Sequence, residues 1–268
     1  MSYEFDAKRY ERSSAHQQGW GERLIDELSL AGRERILDLG CGDGRLTARL
    51  AERVPQGHVL GIDASQNMID RACHNHNRAN LEFRLMDIRH LDFEDEFDLI
   101  FSNATLHWIK DHGRLLAGVH RALRAGGLLR FNFAGQGNCI HFFEVVRRTM
   151  TEDPFATAFQ GFEWPWFMPS VSEYERLIGG FDFAELRVWQ ENADTAFATA
   201  DALAGWIDQP SLVPFLAHLE GPDRQRFRDI VLDRMVECTR QADGTFLEAF
   251  RRINVRAHTR GTSDRQQA

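Results

Sequence analysis

The stretch RILDLGCGDGRLTARL, Arg35 to Leu50, begins as an apolar run, passes through glycines at 40, 42 and 44, and continues with apolar residues at helical spacing. An apolar run followed directly by alternate glycines reads as a strand turning sharply into a helix, because glycine reaches positive φ without steric cost. Such glycines serve a bare tight turn as well as a ligand-binding one, so the turn has to be read together with its surroundings.

Upstream, Gly19 to Leu30 (GWGERLIDELSL) reads as an amphipathic helix. Downstream, the hydrophobic period switches repeatedly between strand and helix. Strands are predicted at Arg35 to Leu39, His58 to Ile62, Leu81 to Leu85, Phe97 to Phe101 and Leu128 to Phe133. Helices are predicted at Arg45 to Arg53, Ser65 to His74 with Ser65 as N-cap, and Asp111 to Leu123, the last stopped by RAGG. From Gly135 to Gly180 the alternation breaks. A helix (Ile140 to Thr149) is followed by PFATAFQGFEWPWFMPS, dense in aromatics and prolines, and by a helix at Ser172 to Ile178. A strand at Phe183 to Trp189, helices at Asp201 to His218 and Pro222 to Gln241, and a last strand over Phe246 to His258 complete the chain, whose final eight or so residues are predicted to be disordered. The pattern predicts an α/β fold with a doubly wound, seven-stranded, mostly parallel sheet. Its ligand belongs outside the carboxyl ends of the strands, at the topological switch point.

Composition sets the class. The chain has 268 residues, 43% hydrophobic and 27% charged, with a formal net charge of −8. No segment concentrates Lys and Arg, which argues against a nucleic-acid partner. There is no apolar leader and no run long enough to span a bilayer, so no membrane partner and a cytoplasmic location are expected. Cys41, Cys73, Cys139 and Cys238 lack CxxC spacing, and no metal site is expected; His74-Asn75-His76 sits at a frayed helix end.

The glycine spacing is G-x-G-x-G. A dinucleotide fingerprint would need glycine where Arg45 stands, and a phosphate-binding P-loop would need a lysine that is absent. Asp63 ends the second strand 23 positions after Gly40. An acidic residue there can accept hydrogen bonds from both hydroxyls of a ribose. A surface Asp at a strand end is common, but with the turn it reads as a nucleoside site. Asp87 and Ile88 follow the third strand, where Asp87 could meet an adenine amino group and Ile88 the ring, or Asp87 could simply cap a turn.

ILDLGCGDG, GIDAS, MDI and FDLIFSNATLHWI, in this order, resemble the first four motifs of the class I S-adenosylmethionine-dependent methyltransferases. The resemblance covers residues 1 to about 135. It implies a Rossmann-like sheet with the last strand antiparallel between strands five and six, and S-adenosyl-L-methionine as cofactor. It further implies that Gly40 and Gly42 approach the methionine part, Asp63 the ribose, and Asp87 and Ile88 the adenine. Asp38, Cys41, Ala64, Met68 and Asn103 complete the cofactor set. Residues 1–135 would form the cofactor-binding core, 136–180 a cap insertion, and 181–260 the remainder of the same domain. AHQQGW, SNATLHWIKD and WPWFMPSVSEYERLI look most similar to the trans-aconitate methyltransferase-like branch, with some features shared by insect juvenile-hormone-acid methyltransferases. In that branch a leader glutamine and aromatic, here Gln17 and Trp20, close over the cofactor, and both groups methylate carboxylates.

Methyl transfer from a sulfonium is an in-line displacement that needs alignment and exclusion of water. A carboxylate acceptor is already ionised at neutral pH, whereas a hydroxyl must lose a proton. After the fourth strand, Ser102-Asn103-Ala104-Thr105 has no proline, unlike the Asn-Pro-Pro-Tyr type of sequence in enzymes acting on nucleobase amines or amides. His107 is a candidate general base, although a packed or hydrogen-bonded histidine opening a helix is the more common reading; the family likeness implies that Trp108 walls the transfer pocket, where a tryptophan in apolar surroundings is otherwise core. Arg147, beside Arg148, is a candidate carboxylate clamp, although an Arg pair on a helix commonly faces solvent. Trp166 lies in the aromatic cap with Phe142, Phe143, Phe155, Phe159, Phe162, Trp164, Phe167 and Tyr174, and Trp206 to Phe215 is expected to cover the same mouth. The expected partner is a small carboxylic acid. The alternatives are N- or C-methylation of a natural-product intermediate and a non-catalytic module that binds the cofactor.

Overall fold

A computed structural model describes residues 15–261. Its centre is a seven-stranded sheet built of β1 (Arg35–Leu39), β2 (His58–Asp63), β3 (Leu81–Leu85), β4 (Phe97–Asn103), β5 (Leu123–Ala134), β6 (Phe183–Asn192) and a strand later in the chain. Between β6 and that strand lie two short strands, β7 (Thr195–Phe197) and β8 (Phe246–Glu248), which pair into a separate ribbon; the late strand is then β9 (Arg251–Thr259). The sheet order is β3-β2-β1-β4-β5-β9-β6, with β9 antiparallel to both neighbours and the other pairings parallel. The order reverses between β1 and β4, so the turns leaving these two strands stand side by side.

Helices α1 (Ala15–Asp26), α2 (Arg45–Arg53), α3 (Gln66–Asn75) and α4 (His112–Ala122) flank the first five strands. Ser65 caps α3 by accepting from the Met68 N–H, and Asp111 caps α4 by accepting from the Arg114 N–H. Helix α4 ends before RAGG, which extends β5 upstream through an irregularity with Gly126 at φ 76°. In the second half, α5 (Ile140–Met150) and α6 (Val171–Ile178) precede β6. The helix predicted over Asp201 to His218 is broken into α7 (Ala200–Trp206), a π turn at Ile207–Ser211 and the single turn α8 (Val213–Leu216). Pro210 and Pro214 lack the N–H that a continuous helix needs. The long α9 (Gly221–Thr239) follows. The strand predicted over Phe246 to His258 is interrupted at Ala249 and Phe250, which separates β8 from β9.

Three hydrophobic cores result among the described residues. Two pack on the sheet: one joins Leu37, Leu39, Ile100, Phe131, Phe133, Val255 and others, and one joins Leu24, Ile25, Leu50 and Val54 to Ile36, Val59, Leu99 and Phe101. The third lies above the carboxyl ends of the strands and joins Phe142, Val146, Phe155 and Phe159 to Leu203, Trp206, Phe215, Phe227 and Phe250. The cap therefore draws on two insertions, before α6 and between β6 and β9, and not on 136–180 alone. Helix α6 itself belongs to the sheet core: Tyr174 and Ile178 are fully buried there. Tyr174, expected in the aromatic lining, hydrogen-bonds His112 Nδ1 through its hydroxyl at 3.1 Å.

Candidate active site

The turn after β1 is held from below. The N–H groups of Gly40 and Cys41 both donate to the Ile62 carbonyl, at 2.8 and 2.9 Å, which ties the turn to the end of β2. Gly40, Gly42 and Gly44 have φ of 73°, 55° and 82°. At Gly40 a Cβ would meet the Thr105 side chain at 2.2 Å, so this glycine permits the close approach of the two turns; Thr105 Oγ1 donates to the Gly40 carbonyl at 3.2 Å. At Gly42 a Cβ would meet nothing within 4 Å. That glycine is required by its backbone conformation, and the space above it is open.

Asp63 stands at the rim of this space. Its carboxylate accepts from the Gly42 N–H at 3.0 Å and the Ser65 N–H at 2.9 Å, which orient it and leave acceptor capacity for hydroxyl donors. Burial raises its pKa, against the lowering effect of these N–H groups. Asp38 lies under the turn, 2% exposed, and accepts from the Thr47 hydroxyl at 2.7 Å. Burial pushes its pKa up to about 7, opposed by the Thr47 bond and helped by the charge of Asp63. Cys41 is buried beside them. Desolvation, then Asp63 and Asp38, push its thiol well up, so it stays protonated and unreactive.

The remaining cofactor candidates are less uniformly disposed. Ala64 is exposed at the rim and Met68 is buried behind it. Asp87 caps the turn Ile88–His90 through the Arg89 N–H and is gripped by the Arg89 guanidinium, which holds its pKa down. Ile88 is buried in the sheet core beside it. Asn103 ends β4 against α1: a Cβ on Gly21 would meet Leu46 at 2.2 Å and Asn103 Nδ2 at 2.9 Å. The Gln17 side chain lies outside the described residues.

Beside the turn, a small cavity of about 50 Å³ opens between the sheet and the cap. Trp20, His107, Trp108, Trp166, Phe142 and Phe143 line it, together with Met168, Trp206, Ser211, Phe250, Asn138, Cys139, Ala134 and Arg252. The cap segment is pinned over the β4 turn by the Phe167 N–H, which donates to the His107 carbonyl at 2.8 Å. Trp108 and Trp166 pack with ring centroids 5.2 Å apart, and Phe143 lies 5.3 Å from Trp166. Trp20 faces this cavity, packing on Phe250 at 5.4 Å.

His107 is half-buried, and its Nδ1 is buried without a hydrogen-bond partner among the described residues. Desolvation, then the charge of Arg252 and of His112, lower its pKa well below the ordinary histidine value. Arg147 does not reach the cavity. It lies exposed on the outer face of α5, its guanidinium 4.7 Å from the Trp164 ring, and Arg148 pairs with Glu152 at 3.4 Å.

Among the described residues, the Lys or Arg lining the cavity is Arg252, which sequence reasoning missed. It is 3% exposed. Its Nε and Nη2 donate to Asn132 Oδ1 at 2.9 and 2.7 Å, and its guanidinium lies 4.7 Å from the Trp20 ring. Asn132 Nδ2 donates to Asn254 Oδ1 at 2.9 Å. Arg130 also donates to that oxygen, and reaches Glu27 after α1 at 2.8 Å. The signal was present in RRINVRAH: a strand running inside a sheet is buried on both faces, so Arg252 and Asn254 at alternate positions there require partners.

Residues 36–127 match the family described as Methyltransferase domain. The chain is 35% identical over 218 residues to a trans-aconitate 2-methyltransferase of Deinococcus radiodurans, covering 78% of this chain and 80% of that one. It is 34% identical over 158 residues to a malonyl-[acyl-carrier protein] O-methyltransferase of Acetivibrio thermocellus, covering 57% and 56%. Among solved structures it is similar to the YcgJ protein of Bacillus subtilis, with a TM-score of 0.61 at 17% identity over 91% of this chain and 99% of that one. The chain belongs to the class I S-adenosylmethionine-dependent methyltransferases, near the trans-aconitate methyltransferase branch, and S-adenosylmethionine is its cofactor. The open cradle above Gly42 and the oriented Asp63 fit a nucleoside-bearing cofactor. No helix among the described residues is long and apolar enough to cross a membrane.

Proposed function

We propose that this methyltransferase esterifies a carboxylate of a small organic acid. When bound, S-adenosylmethionine supplies a methyl group made electrophilic by its sulfonium. Asp63, oriented by the Gly42 and Ser65 N–H groups, accepts from the ribose hydroxyls, and the open backbone at Gly42 admits the methionine part. Asp38 and Thr47 keep the turn in shape from beneath.

The observation that carries the acceptor reading is Arg252, a buried guanidinium in the wall of a largely aromatic cavity. Its guanidinium is held in place by hydrogen bonds to the side-chain and main-chain oxygens of Asn132. A planar fork of this kind matches a carboxylate, and a desolvated site strengthens the attraction. His107 supports the same reading. With its pKa well below 6.5 it is a weak base, poorly matched to removing the proton of an alcohol or phenol. A carboxylate needs no base. The aromatic walls exclude water from the displacement, and the names of the relatives, trans-aconitate 2-methyltransferase and malonyl-[acyl-carrier protein] O-methyltransferase, agree with an oxygen acceptor of this type.

The test uses methyl-labelled S-adenosylmethionine, the purified protein and a fraction of small organic acids, followed by mild base. Release of the label as methanol is the expected result, because methyl esters hydrolyse there. Label retained in the product would mean an ether, amine or carbon acceptor and would overturn the proposal.

A further inference from the structure

We infer that Asn254 is a positioning residue for methyl transfer: from the middle of the sheet it fixes how α1 is rotated over the two turns that form the site. This role rests on the chain being a methyltransferase and holds for any acceptor.

Asn254 is fully buried on β9, opposite Asn132 of β5 and Trp189 of β6. Its neighbours Ile253 and Val255 point to the other face, into the core that holds Leu37 and Phe131. Its Oδ1 accepts from Arg130 Nη1 at 3.0 Å and from Asn132 Nδ2 at 2.9 Å, and its Nδ2 donates to Glu191 Oε2 at 3.4 Å. Two donors meet one oxygen, so the amide has one orientation; turned over, its NH2 would face both of them. Two arms of this hub end at α1. Arg130, itself buried, donates to Glu27 just beyond the helix at 2.8 Å, and Glu191 pairs with Arg23 at 3.8 Å. Arg23 and Glu27 are four residues apart, a spacing that shares one helix face. The exposed Arg23 pair contributes little, and the charge-assisted bond from the buried Arg130 is the firm one.

α1 is held on a second side as well. Leu24 and Ile25, with Leu28 just beyond, pack into the core formed with Leu50, Val54 and Phe101. Apolar burial is non-directional and sets the depth of the helix, whereas hydrogen bonds are directional and set its rotation. Rotation matters because Gly21 touches the site. A Cβ there would meet the Leu46 side chain, just after the glycine turn, at 2.2 Å and Asn103, at the end of β4, at 2.9 Å. The residues on either side of Gly21 stand about 100° from it around the axis. One is Trp20, in the cavity wall, and the other is Glu22, paired with Arg45 at 3.2 Å. Turned by one residue, α1 would drive one of these into the place of Gly21 and lift away from both turns. An apolar residue at 254 would serve burial as well, since a buried polar network is no surer source of stability than packed hydrophobic groups. The orientation of α1 is what it would lose.

Calorimetric binding of S-adenosylhomocysteine and amide hydrogen exchange, both on the full chain, test this. In Asn254→Leu the Kd for S-adenosylhomocysteine should rise roughly tenfold or more, and the amides of residues 20–26 should exchange faster by a similar factor. The amides of α3 should keep their rates. Asn254→Asp combined with Glu191→Gln restores an acceptor facing Arg130 and an amide facing that acceptor from β6. It should bring both readings back to within about threefold of wild type. Ile178→Ala, a truncation fully buried in the core on the other face, should lower the urea midpoint and leave both readings unchanged. Unchanged affinity and exchange in a folded Asn254→Leu would overturn the inference, and so would equal changes in Ile178→Ala. If Asn254→Leu does not fold, Glu27→Gln, at the outer end of the Arg130 arm, decides: a change of about threefold in each reading is expected, and no change overturns the inference.

Discussion

The turn after β1 and the cavity under the cap lie side by side, yet they are built in opposite ways. The turn is continuous in sequence and depends on backbone. Three positive-φ glycines, two N–H groups on one carbonyl and a carboxylate anchored by main-chain donors define it within Asp38 to Ser65. The cavity is made of side chains gathered from α1, the β4 turn, α5, the segment around Trp166, the π turn and β9. Backbone constraints leave a mark in any sequence that obeys them. A side-chain wall assembled from so many separate places leaves none that spacing can detect.

This contrast predicts which substitutions separate acceptor handling from cofactor binding. The largest effect is expected at Arg252: Arg252→Gln should lower kcat/KM on the acid by roughly 10²- to 10³-fold, the range for losing a buried, hydrogen-bonded charge partner. Calorimetric affinity for S-adenosylhomocysteine should stay unchanged; a parallel loss of both would dissolve the contrast. Asp63→Ala should do the reverse, weakening S-adenosylhomocysteine by about 1.5 to 3 kcal/mol, the range for a hydrogen bond to a charged group.

His112 is buried beside the β4 turn, bonded to Tyr174 and to the Leu106 carbonyl and packed 4.7 Å from Phe167. Burial lowers its pKa to about 4. Between pH 6.5 and 4 the unfolded chain binds a proton there that the folded chain refuses, so acidification costs stability. Asp38, raised to about 7, acts in the opposite sense, since between pH 4 and 7 the folded chain holds the extra proton. The comparison of wild type with His112→Phe isolates the histidine. The stability advantage of wild type in urea unfolding should shrink by about 2 kcal/mol from pH 7 to pH 5.

Smaller effects sharpen the acceptor side. His107→Ala should reduce turnover of an acid by less than about tenfold, and the wild-type rate profile should show no step near pH 6.5. A loss above about 10²-fold would indicate base catalysis and a hydroxyl acceptor. Arg147→Ala should change kcat/KM by less than about threefold, as expected for an exposed cation stacked on a ring outside the cavity.

The legibility of the two regions follows the same division. Helix α2 and β1 run over the residues that periodicity and glycine spacing mark, and Ser65 caps α3 as its position implies. The antiparallel strand between β5 and β6 was legible through the likeness of the motifs to a known family. The ribbon of β7 and β8 was not, because three-residue strands are too short for alternation to register. Nor was the broken helix at Ile207 to Ser211, where apolar spacing continued through the prolines. At the site, Trp108 and Trp166 meet in the cavity while Arg147 stays outside it: a pair of arginines on a helix says nothing of which side faces inward. Arg252 was passed over because its strand was read for period and not for the burial that an interior strand imposes.

The separation of the cap core from the cores on the sheet has a consequence for descent. Phe142, Phe155, Phe215 and Phe227 pack on one another and not on Leu37, Ile100 or Phe131. Replacements inside the cap are therefore absorbed there, without disturbing the strands that hold the glycine turn. A lineage carrying this scaffold can exchange one acceptor for another by drift in its upper storey, while the machinery for the methyl donor passes on unaltered.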